Sequence, residues 1–358
     1  MKGISRVYFV PADGKEAAEA LSAKIRKAYL AIGFNDMIAE DDYVALKIHF
    51  GEKHNTGYIK PHWLRGLVAE VRKRTSRAFL TDSNTLYVGE RSNSVDHIRL
   101  AWSHGFTPDV VEVPVIIADG LIGRDDREIE AGRSRVRVAK IAGAILDADA
   151  LLCLTHVTGH VQTGIGASVK NMGMGCASRA GKLDQHSVVH PRVSVKACRN
   201  CGICFDHCPE AAIVQAEGHV VIDGVKCIGC GECLVACKPG AIRWKWDEDS
   251  PRIQEKLAEY ALTVQDRFKG KVGFVNVLIQ VTKDCDCMSR SQRPIVGDIG
   301  IVASADAVAA DKAAADLILA RAGEDVFRKG YDLDWGVQFR HGEKIGLGST
   351  EYVLTNLD

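Results

Sequence analysis

Apolar and polar positions along this chain switch repeatedly between a strand-like and a helix-like period. Residues 6–10 read as a strand, and 15–31 as an amphipathic helix with Ala18, Leu21, Ile25 and Ala28 on one face. Residues 43–50 predict a second strand. Residues 61–73 predict a helix, with Pro61 at its first position, where the missing N–H has no intrahelical partner to lose. A strand over 78–81, a helix near 95–104 and a strand over 110–115 continue the rhythm. Residues 138–145 read as helical and 150–155 as a short buried strand. Further on come a helix over 251–268, strands over 271–280 and 299–304, and a helix over 307–321. Strands alternating with helices predict an α/β fold: a mostly parallel sheet flanked by helices.

The rhythm is interrupted once, by cysteines. Of the 12 Cys in 358 residues, eight fall between Cys198 and Cys237. They form two runs of the pattern C-x2-C-x2-C-x3-C: Cys198, Cys201, Cys204, Cys208, and Cys227, Cys230, Cys233, Cys237. Each Cys recurs 29 positions on, and so does Ala212-Ile213 as Ala241-Ile242, which marks an internal duplication. Three thiolates on a tight turn suit three irons of a cubane, and the fourth, leading into a short helix, reaches the other cluster. The spacing therefore predicts one [4Fe–4S] cluster on Cys198, Cys201, Cys204 and Cys237, and a second on Cys227, Cys230, Cys233 and Cys208. Zinc sites more often pair two C-x2-C units without the trailing x3-C. These runs resemble the bacterial-type two-cluster ferredoxins. Because the α/β rhythm resumes afterwards, the expected organisation is a host domain over 1–191 and 247–358, with a ferredoxin-like α+β insert over 192–246.

Composition narrows the function classes. Lys+Arg and Asp+Glu are equal at 46 each, so no broad surface for nucleic acid or anionic membrane is expected. The best apolar run, 272–281, is about ten residues, short of the roughly 18 that span a bilayer, so no membrane insertion is expected. The N-terminus turns polar too soon for a secretory signal, and clustered Cys without such a signal predict a cytoplasmic metal protein.

Polar residues in the host domain gather where strands end, which is where α/β sheets place their sites. The loops carry His49 and Glu52; Thr81 to Tyr87; His156, Gly159 and His160; Lys170 to Cys176; His186; and Asp284-Cys285-Asp286-Cys287. His160, Lys170, His49 and Glu52 are candidates for proton transfer or substrate-anion binding. Cys285 and Cys287, one residue apart, suit a soft metal or a redox pair, and Cys176 and His186 could join them. Cys153, inside an apolar run, reads as an inert buried thiol. The Gly-rich stretch 159–175 could cradle a phosphate through its backbone N–H groups, although it matches neither dinucleotide-binding nor P-loop spacing.

These motifs together, with Lys170-Asn-Met-Gly-Met-Gly-Cys176 and Asp298-Ile-Gly-Ile-Val-Ala-Ser304, resemble the uncharacterised Fe–S centre proteins built on a domain of unknown function (family 362). The resemblance covers nearly the whole chain and includes the ferredoxin-like segment, but implies no particular reaction. His160, Lys170 and His186 also repeat the spacing of a His, a Lys and a His in nickel-pincer lactate racemases. That likeness implies acid–base work for His160, covalent cofactor attachment for Lys170 and nickel ligation for His186.

The leading expectation is an oxidoreductase, or its electron-transfer component, whose two [4Fe–4S] clusters relay electrons to or from a site in the α/β domain. Its partners would be a redox protein or a small-molecule substrate. One alternative is a non-catalytic carrier whose polar loops dock a redox partner. Another is a cofactor-dependent isomerase or racemase with structural clusters.

Overall fold

The computed structural model describes residues 4–87, 89–186, 191–227, 231–243 and 249–357. Its main sheet has eight strands: β1 (Ser5–Pro11), β2 (Val44–Lys47), β3 (Ala78–Asp82), β4 (Val115–Ile117), β5 (Ala150–His156), β6 (Val272–Leu278), β7 (Gly300–Ser304) and β8 (Tyr352–Asn356). They lie in the order β8-β1-β7-β6-β5-β2-β3-β4. β7 is antiparallel to both of its neighbours, and the other five pairings are parallel, so seven strands share one direction. This is the mostly parallel α/β sheet that the alternating pattern predicts.

Every residue of β2, β3, β5, β6 and β7 is buried, which is why these strands read as apolar runs rather than as strict alternations. Successive residues still point to opposite faces. Leu46, Leu152 and Leu154 join one core with Leu21 and Ile25 of α1 (Ala18–Ala31) and Leu67 of α2 (Arg65–Arg72). Ala45, Leu151 and Cys153 join the other, with Ala258 and Ala261 of α6 (Ser250–Arg267) and Ala310 and Ala314 of α7 (Ala307–Ala322). Between these helices in the chain lie α3 (Ser94–Ser103), α4 (Ser168–Gly173) and α5 (Arg179–His186).

Two segments depart from expectation. The region read as a strand over 110–115 begins with a short helix, Pro108–Val111, and strand β4 starts only at Val115. Pro108 occupies the first turn, where its fixed φ favours a helix. The region read as a helix over 138–145 is a strand, Val138–Ala142, followed by a helical turn, Gly143–Asp147. Antiparallel pairing with Asp126–Glu130 imposes the period of two on it.

Residues of the cysteine-rich segment form a smaller unit beside the sheet. Arg192–Val193 pairs with Ile242–Arg243, so the two ends of the segment meet. Ile213–Ala216 and His219–Ile222 form a hairpin, and the turns Ile203–Asp206 and Glu232–Ala236 are helical. Ile213, Val220, Cys204, Cys233 and Ile242 of this unit form a small core together with Leu86 and Leu183 from the rest of the chain.

Candidate functional site

The chain runs outward from β2 to β3 and β4, then returns to place β5 on the opposite side of β2. Such a reversal leaves a crevice beyond the carboxyl ends of the strands. Asn171 in α4 closes its floor. The Asn171 amide donates to the Leu154 carbonyl at 3.2 Å and Thr155 Oγ1 at 3.0 Å, while its Oδ1 accepts from Lys47 Nζ at 2.7 Å. The start of α4 is held by a residue far along the chain: the Asp311 carboxylate accepts from the backbone N–H of Ser168 and Val169, each at 2.8 Å. The expected phosphate cradle is therefore not formed at this helix end, because a carboxylate of the protein already takes those N–H groups.

Above this floor opens a cavity of about 610 Å³, lined in part by Lys47, His49, Asp82, Arg91, His160, Lys170, Lys182, His186 and Cys287. The volume lies within the range of small-molecule sites. Among the described residues, four cationic side chains line it against one carboxylate. Asp82 meets Lys47 at 2.9 Å and Arg91 at 3.4 Å, and these charges hold its carboxyl far below the usual range despite burial. Arg91 also binds Glu52 at 3.1 Å and the Tyr87 hydroxyl at 2.6 Å. Burial and the neighbouring Arg91 and Lys47 push the Lys170 amine down to about 8, and burial pushes Lys182 down to about 8 as well. Among the described residues, Lys170 Nζ has no hydrogen-bond or ion-pair partner. Desolvation lowers His49, His160 and His186 well below the ordinary imidazole value, so these rings are neutral near pH 7. The pocket thus presents positive charge together with uncharged imidazoles, an arrangement that suits a small anion and the acceptance of a proton from it.

The sequence-derived candidates divide clearly. His49, His160, Lys170, His186 and Cys287 line this one cavity. Glu52 sits behind it as the partner of Arg91. Cys285 and Cys287 are joined as a disulfide, and their sulfurs and a His160 ring nitrogen lie within 4.8 Å of one another. Cys176 does not join them. It is in the core, and burial pushes its thiol up to about 12 instead of lowering it. Cys153 is fully buried in the same core. Lys47, Arg91 and Lys182 were not singled out by sequence. A lysine ending a strand buried at every residue was the available signal for Lys47.

The cysteine-rich unit contains two small hollows. One is lined by Cys198, Cys201, Cys204 and Cys237, and the other by Cys227, Cys233 and Cys208; Cys230 lies outside the described residues. Each hollow draws Cys from both repeats. Backbone N–H groups also point at the trailing sulfurs, Ala212 to Cys208 Sγ at 3.1 Å and Ala241 to Cys237 Sγ at 3.2 Å, again 29 positions apart. Such N–H groups suit thiolates, so this donor set fits iron–sulfur clusters.

The two regions share a wall. Leu86 lines the large cavity and also belongs to the small apolar cluster that holds Cys204 and Cys233. Gly231, at φ +76°, comes so close that a Cβ there would lie 2.9 Å from Leu86 Cδ1. Arg179 of α5 fastens the contact, binding Glu232 at 2.6 Å, the Thr85 carbonyl at 3.2 Å and the Ser92 carbonyl.

A doubly wound sheet with a polar pocket at its carboxyl edge, joined to a unit of repeated cysteines, defines a recognisable class. The chain belongs to the family described as Domain of unknown function (DUF362), which matches residues 44–316. Shorter stretches are similar to named proteins. An uncharacterised ferredoxin of Methanocaldococcus jannaschii is 43% identical over 47 residues, 13% of this chain and 28% of that protein. YsaA of Escherichia coli, named for electron transport, is 36% identical over 55 residues, 15% of this chain and 35% of that protein. An iron–sulfur protein of the Frd operon of Proteus vulgaris is 27% identical over 139 residues, 38% of this chain and 78% of that protein. The chain thus spans about a third or less of the length of the first two. A Thermotoga maritima crystal structure aligns at TM-score 0.41 and 9% identity, covering 87% of this chain and 61% of that one. Among the described residues no helix is long and apolar enough to cross a membrane.

Proposed function

We propose that this chain is an iron–sulfur oxidoreductase in which 192–246 is an inserted two-cluster module serving the cationic pocket. Cys198, Cys201, Cys204 and Cys237 would hold one [4Fe–4S] cluster, and Cys227, Cys230, Cys233 and Cys208 the other. Bound clusters of this kind supply single electrons. The observation that carries the reading is Leu86, one side chain that touches both the cysteine core and the pocket. The names of the ferredoxin and electron-transport relatives agree with it. A redox protein would deliver electrons at the cysteine-rich face, and the substrate would be a small anion held by Lys170, Arg91 and Lys182, with His160 and His49 placed for proton transfer. A cavity of about 610 Å³ favours this over a carrier with flat docking loops.

The test is reoxidation of the anaerobically reduced holoprotein by small anionic acceptors such as 2-oxo acids, followed by visible absorbance. Saturable reoxidation by one class of anion, with a raised half-saturation in Lys170→Met, is expected. Reoxidation indifferent to both acceptor charge and Lys170 would contradict the reading.

One observation favours a second reading, a cofactor-dependent isomerase with structural clusters: His160, Lys170 and His186 converge on the same cavity. Isomerisation of a substrate with the clusters held oxidised would support it.

A further inference from the structure

The Cys285–Cys287 pair is built into the pocket wall rather than lying on a loose loop. Cys287 lines the cavity, and Cys285 is buried behind it. The backbone around the pair is held at several points. The Asp286 carbonyl accepts from the Glu52 N–H at 2.9 Å, the Asp286 carboxylate meets His156 Nδ1 at 2.9 Å, and the Cys287 carbonyl accepts from the Tyr87 hydroxyl at 3.2 Å. On the other side Gly159 donates to the Thr282 carbonyl at 2.8 Å, and any Cβ at Gly159 would collide with the Lys283 carbonyl. That close approach brings the loop bearing His160 against the loop bearing the two sulfurs.

The grouping of His160 with two sulfurs admits a soft-metal site or a redox site, and hydrogen bonding separates them. His160 Nδ1 faces the Thr163 hydroxyl at 3.0 Å and two backbone donors, the N–H of Thr163 at 3.2 Å and of Gln162 at 3.3 Å. An amide N–H cannot accept, so Nδ1 is the acceptor and the proton of the neutral ring sits on Nε2. A protonated Nε2 has no lone pair for a metal but can donate a hydrogen bond to a thiolate formed beside it. Cys285 Sγ already accepts from the Cys287 N–H at 3.3 Å, a donor suited to a thiolate.

We infer that Cys285 and Cys287 form a redox-active disulfide, the two-electron centre of the pocket, with His160 as the hydrogen-bond donor to the thiolate that forms beside it. This deepens the proposed function and rests on it. An external reduced one-electron carrier protein gives up two electrons, one at a time, by way of the cysteine-rich unit. The S–S bond breaks as it takes both, and two protons from solvent in the cavity complete two S–H groups. The carrier is oxidised by two electrons, and the disulfide is reduced by two. The pair thereby converts single-electron delivery into the two-electron chemistry of an organic anion, with Cys287 as the sulfur that meets the substrate.

The experiment uses anaerobic holoprotein carrying its clusters, titrated with reduced methyl viologen, then quenched in acid, alkylated and analysed by peptide mass spectrometry. The expected result is consumption of two electrons beyond those that bleach the clusters, with Cys285 and Cys287 both becoming alkylated. In Cys287→Ser the clusters should bleach without the extra two electrons. In His160→Phe the same thiols should form about tenfold more slowly, because the hydrogen bond to the nascent thiolate is lost. Clusters that bleach beside an intact disulfide would overturn this inference and leave the electron-transfer reading standing. So would a pair found reduced and holding a stoichiometric metal ion. A chain that assembles no clusters would overturn the reading itself and this inference with it.

Discussion

Lys47 Nζ lies 2.9 Å from Asp82 Oδ1, and the two residues end neighbouring parallel strands, both almost fully buried. The pair fixes the charge of the pocket floor, since Lys47 also binds Asn171 Oδ1 and so ties β2 and β3 to α4. Breaking a buried pair from one side leaves an uncompensated charge. Lys47→Met should therefore destabilise the fold by about 3–5 kcal/mol, read as a lower urea midpoint with an unchanged slope. The pH dependence follows from the sign of the Asp82 shift. A carboxyl held far below its unfolded value contributes stability that is fully present above pH about 4 and is lost only as pH falls through the much lower folded value. Asp82→Asn should lose this contribution at neutral pH. An unchanged midpoint in Lys47→Met would show that Arg91 alone suffices as the partner of Asp82.

Anion binding should titrate with Lys170. The amine, at about 8, is mostly charged at pH 7 and mostly neutral at pH 9. Affinity for a short carboxylate, measured by calorimetry, should fall about tenfold over that interval, following the charged fraction of one group. Lys182, also at about 8, adds to the slope in the same direction. Lys170→Met should weaken binding at pH 7 and flatten the profile. A profile that steepens, or stays flat in the parent protein, would remove Lys170 from the anion site.

Asp311 should act at a distance from the pocket. It accepts the Ser168 and Val169 N–H groups and the Asn276 amide, all at 2.8 Å. Asp311→Asn replaces one acceptor oxygen by a donor and leaves a buried N–H unpaired, a cost of about 1–3 kcal/mol. Because the same short helix carries Lys170 and Asn171, anion affinity should fall with stability. A stability loss with unchanged affinity would mean that the helix does not need this cap to place Lys170.

Much of the sheet was legible because buried parallel strands are apolar runs bounded by turns, and the candidate residues followed those runs. His49, His160, Lys170 and His186 could be singled out as polar residues at strand ends and do meet in one cavity. Their partners could not, because the pairing is non-local: Lys47 and Asn171 are 124 positions apart, and Arg179 meets Glu232 across 53. Cys176 misled for a related reason. Its Gly-rich surroundings suggest an open loop, yet those glycines mark close packing, with a Cβ on Gly173 or Gly175 running into backbone. Residues 138–145 were misread because their helical or extended state depends on the partner strand Asp126–Glu130, which lies outside that window. The cysteine repeat was legible from spacing alone, since a period of 29 residues can be read without knowing the fold.

The most direct measurement is the iron and acid-labile sulfide content of anaerobically purified protein. Two clusters on the eight repeated cysteines predict about eight iron and eight sulfide per chain, with visible absorbance that bleaches on reduction. Stoichiometric zinc without sulfide, or about four iron per chain, would contradict the account.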